Sequence, residues 1–186
     1  AVSPADPNTL LWGGIDIWRS ENGGTGVTQM TSWSSWFFGQ VPVGGPEGPP
    51  NYVHADIHGL YFHPALPNVI FAATDGGIFG SLDDGLTWTG RNGGYQTQQF
   101  YANFANSATN PDLAIGGMQD NSTAIYTGDA AWTRVIGGDG MCAAINPEND
   151  AIIYGSSQNL NIRRSTDLGP FVFLPISSAD GEMRII

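Results

Sequence analysis

Four times along this chain of 186 residues one phrase returns. It consists of a Pro/Asn/Asp corner, a short apolar run, a turn rich in Gly, Asn or Asp, a second run, and then Ser or Thr. It reads PADPNTLLWGGIDIWRS at 4–20, PALPNVIFAATDGGIFGS at 64–81, NPDLAIGGMQDNSTAIYT at 110–127 and NPENDAIIYGSSQNLNIRRS at 146–165. A repeat of this kind limits the fold severely, because one unit cannot bury its apolar face alone and must stack on its neighbours. The runs are too short and too often broken by Gly, Pro, Asn or Asp to hold a helical period. With 26 Gly, 12 Pro and only 12% charged residues, the composition suits short strands joined by tight turns.

Each phrase runs into a turn, and the second copy is complete: Ser81-Leu82-Asp83-Asp84-Gly85-Leu86-Thr87-Trp88, the pattern S-x-D-x-G-x-T-W. The pattern has a physical reading. Asp83 can fold its carboxylate onto backbone N–H groups of its own turn. Gly85 supplies a backbone angle that other residues resist. Thr87 opens the next strand, and the Trp88 indole fills the gap between sheets. The other copies are decayed. Ser20-Glu21-Asn22-Gly23-Gly24 has Asn for Asp, and Thr127-Gly128-Asp129-Ala130-Ala131-Trp132 lacks the Gly. Ser165-Thr166-Asp167-Leu168-Gly169 lacks the closing Thr-Trp.

Ser20, Ser81, Thr127 and Ser165 are 61, 46 and 38 residues apart. Blades of four antiparallel strands have a period of about 40–50 residues. The expected fold is therefore all-β: a β-propeller segment of about four blades, part of a larger propeller. The blade units fall at 1–32, 54–92, 98–136 and 138–178, in one segment spanning 1–186. An insertion rich in Trp, Pro and Gly at 33–53 is expected to form a long loop. Residues 180–186, DGEMRII, read as the start of a further inner strand. Joined to AVSPADPN at the N-terminus they parallel GDGMCAAINPEND at 138–150. Three arrangements accommodate this: a piece of a longer propeller, the leading expectation, a four-bladed ring closed by its two ends, or ends that complete strands in a neighbouring copy. Ala1 in place of Met fits processing or truncation upstream.

The formal net charge is −11, and all six basic side chains are Arg. A nucleic-acid surface needs a basic stripe, and an anionic membrane needs the same, so both partners are disfavoured. No apolar run is long enough to span a bilayer as a helix. Cys142 stands alone, which leaves no internal disulfide; it is expected to be a small buried side chain of an inner strand.

The turn sequence resembles the Asp box, or BNR repeat, of a propeller superfamily that includes sialidases, xyloglucanase-type glycosidases and sortilin-like receptors. The phrases VHADIHGLYFHP (53–64), TDGGIFGSLDDGLTW (74–88), TQQFY (97–101), GGMQDNST (116–123) and GGDGMCAAINP (137–147) are most similar to large secreted bacterial propellers described as sialidase-like or glycosyl-hydrolase-like. The resemblance covers nearly the whole chain and implies fold more than activity. Sialidases carry an Arg cluster and an Arg-Ile-Pro phrase; this chain has no Arg-Ile-Pro, which argues against that activity. The resemblance places the Asp-box turns opposite the binding face. Ser81, Asp83, Gly85, Thr87, Trp88, Ser165, Asp167 and Gly169 are then structural.

The binding face would collect the loops leading into each inner strand and those between second and third strands. The first kind supplies His54, Asp56, His58, Gln98, Gln99 and Asp139. The second supplies Asp75, Gln119, Asp120, Asn121, Gln158 and Asn159. In an extended strand His54, Asp56 and His58 would point one way, a set able to take a divalent metal; the bland alternative is that they bond loops, and no cofactor is otherwise expected. Asp56, Asp75, Asp120 and Asp139 are candidates for a glycosidase carboxylate pair, or for tying down their own turns. Trp33, Trp36, Phe37 and Phe38 could stack on sugar rings or cover a blade edge. Trp12, Trp18, Trp88 and Trp132 are expected in the core, and His63 at a corner.

The leading expectation is a secreted, extracellular or cell-surface recognition or scaffold module, non-catalytic on its own, that binds a polysaccharide or an extracellular protein. Its rival is a piece of a polysaccharide-active glycoside hydrolase. A third reading is a structural subunit of a surface assembly. Further blades of the same protein or of a neighbouring copy would be partners.

Overall fold

The computed structural model describes residues 1–36, 39–40, 47–93, 98–159, 161–167 and 174–175, with backbone alone at 39–40 and 174–175. Phe37, Phe38, residues 41–46 of the insertion, Gly169 and residues 180–186 lie outside the described residues. The fold is all-β, in four antiparallel sheets whose successive strands pair in the meander order of propeller blades. Sheet 1 holds β1 (Leu10–Gly13), β2 (Ile17–Ser20) and β3 (Thr28–Gln29), with a lone bridge from Val2 to Leu10 at its inner edge. β4 (Gly39–Gln40) pairs elsewhere, as described below. Sheet 2 holds β5 (Ile57–Phe62), β6 (Ile70–Thr74), β7 (Gly77–Ser81) and β8 (Thr89–Gly90). Sheet 3 holds β9 (Phe100–Asn106), β10 (Ala114–Met118), β11 (Thr123–Tyr126) and β12 (Thr133–Ile136). Sheet 4 holds β13 (Gly140–Ile145), β14 (Ile153–Ser157), β15 (Asn161–Ser165) and β16 (Leu174–Pro175). Among the described residues the single helical piece is a 3-10 turn at Trp33–Ser35.

The chain divides into two compact units: Ala1–Phe37 with Val41–Thr97, and Phe38–Gln40 with Gln98–Ile186. In the first unit, Leu11 and Ile17 of sheet 1 pack with Ile70, Ala72, Phe79 and Trp88 of sheet 2, joined by Tyr52 and Val53. In the second, Leu113, Ile115, Ile125, Val135 and Ile136 pack with Ala143 and Ile153. Period-two alternation accounts for the paired inward positions such as Ile70 and Ala72, since every second residue of a strand faces the neighbouring sheet, while the consecutive Val135 and Ile136 both enter the second core. Two glycines allow close approach in the second unit: a Cβ on Gly117 would sit 2.0 Å from the Met141 carbonyl oxygen, and one on Gly140 would sit 2.2 Å from that of Ser122. Part of the insertion is a strand rather than loop, for β4 adds a fifth strand to sheet 3 beside Thr133 and Arg134.

The recurrent corner is held by the same device four times, a side-chain acceptor that caps backbone N–H groups two or three residues on. Asp6 Oδ1 accepts from Asn8 N–H at 2.9 Å, and His63 Nδ1 accepts from Ala65 and Leu66 N–H at 3.1 Å. Ser107 Oγ accepts from Thr109 and Asn110 N–H, and Asn146 Oδ1 from Glu148 and Asn149 N–H. The Asn8 N–H, outweighing a desolvation effect and helped by the Thr9 and Asn8 side chains, holds the Asp6 carboxyl below its ordinary value.

The turn after β7 closes through Ser81 and Asp83. Ser81 Oγ donates to Asp83 Oδ1 at 2.8 Å and accepts from Gly85 N–H at 2.8 Å. Thr87 donates its N–H to Asp83 Oδ1 at 2.8 Å and its hydroxyl to Oδ2 at 2.6 Å. Gly85 has φ 86°, and the buried Trp88 indole donates to its carbonyl at 3.0 Å. Arg19 reaches from β2 to the carbonyl and carboxylate of Asp84, clamping sheet 1 to this turn.

Packing expectations fail for three tryptophans and for Cys142. Trp132 is half-buried beside Phe100, Phe104 and Tyr126 rather than in the core. Trp12 is exposed and Trp18 only half-buried, because Leu11 and Ile17 take the inward positions of β1 and β2. Cys142 is exposed: a register shift between Gly140 and Ala143 turns Ala143 to the core and Cys142 outward.

Candidate functional site

In the first unit the expected residues gather where β5 begins and β6 turns into β7. Asp56 precedes β5 in a left-handed conformation, φ 62°, and β5 carries a bulge between Ile57 and Gly59. These two features break the extended alternation that would have aligned His54, Asp56 and His58. His54 is instead buried with its ring over Gly76, where an added Cβ would stand 2.5 Å from His54 Cδ2, and its Nδ1 donates to the Ala55 carbonyl at 3.1 Å. His58 is exposed and its Nε2 lies 2.5 Å from Asp75 Oδ1. Asp56 and Asp75 each present a carboxylate oxygen within 4.8 Å of the other.

The Asp75 turn is fixed by residues the sequence reading left aside. Thr74 Oγ1 accepts from Gly76 N–H and donates to the Gly77 carbonyl. Asn92 Oδ1 accepts from Ile78 N–H, while its Nδ2 donates to the Gly76 carbonyl and to Glu47. Sheet 1 has a counterpart in Asp16, which accepts from Thr31 Oγ1, Trp33 N–H and Gln29 Nε2. The available signal was phase: Asp16 occupies the same strand-to-strand loop of its repeat as Asp75 does of the next.

In the second unit the same loops form a relay of side chain to backbone. Gln158 Oε1 accepts from Asp139 N–H at 3.0 Å, and Asp139 Oδ1 accepts from Asp120 N–H at 3.1 Å. Gln119 N–H donates to the Gln99 carbonyl, and the buried Asn121 donates through Nδ2 to the Gln119 carbonyl. Asp120, Ser122 and Asn159 all have positive φ, at 59°, 74° and 63°. Gln98, Gln99, Gln119, Gln158 and Asn159 are exposed, and Asp120 and Asp139 half-buried. Asp139, Asp120 and Gln158 are thus brought together with Gln99, Gln119 and Asn121.

The aromatic candidates divide. Trp36 packs edge-on against Tyr52, ring centres 5.3 Å apart, as part of the first core. Trp33 holds its place through its N–H on Asp16. Trp132 joins Phe100, Phe104 and Tyr126 in an aromatic group on one face of sheet 3, with Phe100 and Phe104 exposed.

Chemically, the first cluster offers two close carboxylates and an imidazole, and the second a carboxylate and amides that hold backbone groups. Asp56 and Asp75 could supply two oxygens to a hard cation. Among the described residues neither imidazole joins the two carboxylates in a group with metal-ligand spacing.

No known protein family matches the sequence, and no curated protein matches it. Among solved structures, the chain is similar to the GH74 xyloglucanase from Xanthomonas campestris, with 18% identity, 96% of this chain and 29% of that one covered, and a TM-score of 0.36. It is also similar to the GH74 enzyme of Niastella koreensis, at 19% identity, 94% and 28% coverage and a TM-score of 0.35. YCF48 from Cyanidioschyzon merolae aligns at 16% identity, with 75% of this chain and 43% of that one covered and a TM-score of 0.33. The chain spans 29% and 28% of the two GH74 enzymes' lengths. At these scores the likeness carries no weight for activity.

Proposed function

We propose that this chain is part of an Asp-box propeller acting as a non-catalytic recognition module, secreted or at the cell surface, that binds a polysaccharide or an extracellular protein. The observation that carries the reading is the employment of the polar loop residues. Asp139 and Gln158 spend their acceptors on backbone N–H groups, Asn121 holds Gln119, and His58 holds Asp75. Groups so engaged are already fixed in place, so a ligand's hydroxyls and N–H groups meet a preformed polar surface at little ordering cost on binding. General acid–base chemistry asks for a different arrangement, a carboxyl able to exchange its proton with substrate.

One observation favours the glycosidase alternative. The Asp56 and Asp75 carboxylates lie within 4.8 Å, close to the roughly 5 Å separation of retaining enzymes. A glycan array combined with a polysaccharide-hydrolysis screen tests both. Binding without turnover, weakened by Asp75→Asn, is the expected result. Turnover that disappears in Asp56→Asn or Asp75→Asn would transfer the chain to the glycosidases.

A further inference from the structure

The chain contains two Asn-Gly dipeptides, Asn22-Gly23 and Asn92-Gly93. Glycine after asparagine leaves the side-chain amide open to attack by the next backbone nitrogen, since no Cβ shields it. The two sites differ in how the amide is held. Asn92 is half-buried, its Nδ2 donates to the Gly76 carbonyl and to Glu47, and its Oδ1 accepts from Ile78 N–H. Asn22 is exposed, and only its oxygen is held: Oδ1 accepts from Ser20 Oγ at 2.8 Å and from Gly26 N–H at 2.7 Å. The backbone N–H of Gly26 can only donate, which fixes the oxygen on that side and leaves the amide nitrogen as the outward group.

We propose that Asn22 is a deamidation site, and that the aspartate it yields restores the carboxylate of the decayed turn of the first repeat. The Gly23 nitrogen bonds to Asn22 Cγ, its proton passes to the departing amide nitrogen, and ammonia leaves. Water then opens the cyclic imide at either carbonyl, breaking one C–N bond to give aspartate or isoaspartate. Two donors on Oδ1 stabilise the negative charge that develops on that oxygen during attack, as an oxyanion hole does. Gly23 N–H donates to the Asn8 carbonyl at 3.0 Å, and that bond must open first. The aspartate product has a matching template: Asp83 sits in the same slot of the sister turn and accepts from Ser81 Oγ and Thr87 N–H at 2.8 Å each. A carboxylate strengthens both such bonds relative to an amide oxygen.

The test incubates the purified chain in warm, mildly alkaline buffer, folded and in urea, and follows both asparagines by tandem mass spectrometry of a digest. In the folded chain Asn22 is expected to gain the mass of oxygen replacing NH several-fold faster than Asn92; in urea both convert. Ser20→Ala is expected to slow conversion at Asn22 several-fold in the folded chain and to leave the urea rate unchanged. An Asn22 that stays intact when folded while converting in urea, or that converts no faster than Asn92, overturns the proposal.

Discussion

The turn at 81–88 and the turn at 20–27 are the same object built twice, with different side chains. Ser20 and Ser81 both donate to the residue two ahead and accept from the glycine four ahead, at 2.9 Å from Gly24 and 2.8 Å from Gly85. The backbone angles match: φ is 66° and 92° at Gly23 and Gly24, and 68° and 86° at Asp84 and Gly85. Asn22 Oδ1 takes the N–H of Gly26 just as Asp83 Oδ1 takes that of Thr87. What differs is what the turn is tied to. Trp88 is 2% exposed and its counterpart Val27 is 52% exposed. Asp84 binds Arg19, while Gly23 has no side chain to offer. Backbone geometry therefore survives the loss of the Asp and the Trp, because serine, glycine and one acceptor oxygen suffice to define it. The indole of Trp88 and the carboxylate of Asp84 join that geometry to the rest of the first unit, while the Asp83 carboxylate bonds Ser81 and Thr87 within the turn.

The difference can be broken most severely at the indole. Trp88→Ala is expected to cost about 3–5 kcal/mol, from lost burial and the cavity left behind, read as a lower urea midpoint. Val27→Ala should change stability by no more than about 0.5 kcal/mol. An equal effect at the two positions would mean that the first turn packs against something that leaves Val27 open here.

The shared geometry should fail equally in both turns. Gly85→Ala and Gly24→Ala each force a left-handed angle on a residue with a Cβ, at about 1–2 kcal/mol. Thermal unfolding of both variants checks this, and a loss confined to Gly85 would show that the first turn can relax.

The acceptor itself is a smaller effect with a pH signature. Burial alone would raise the Asp83 carboxyl, but the Thr87 hydroxyl and N–H and the Ser81 hydroxyl outweigh it and hold it below its ordinary value. A depressed carboxyl contributes stability above the unfolded value of about 4, and that contribution vanishes as pH falls through the lower folded value. Asp83→Asn is expected to cost no more than about 1 kcal/mol at neutral pH, because the turn is open to solvent. The cost should shrink towards zero in acid, as seen in urea midpoints across the pH range. The reverse change, Asn22→Asp, should add only a few tenths of a kcal/mol, since Glu21 beside it repels a new charge. A chemical-denaturation series at neutral pH measures it.

Much of this was readable from spacing. The corners at Asp6, His63, Ser107 and Asn146 and the Ser81–Trp88 turn are local devices, made by residues within a few positions of each other. Their geometry follows from side-chain length and backbone preference. The loops around Asp75 and Asp120 were legible as loops and not as networks. Asp139 serving Asp120, Gln158 serving Asp139, and Asn92 fastening the Gly76 turn each join residues 16 or 19 positions apart. No local rule names such partners. The His54, Asp56 and His58 alignment failed for a related reason: strand alternation holds only while the strand is regular. Here Asp56 is left-handed and β5 bulges between Ile57 and Gly59 against β6, and neither departure is written in the alternation.

The repeated phrase by itself thus determined an all-β chain of stacked antiparallel sheets, the corners, and the form of the turns, since each depends on contacts nearly adjacent in sequence. Tertiary structure alone decided which tryptophan is buried, which way Cys142 and Trp12 face, and which side-chain acceptors the backbone occupies. Those outcomes depend on register between strands and on what lies across from each side chain, and the chain settles both only when its sheets come together.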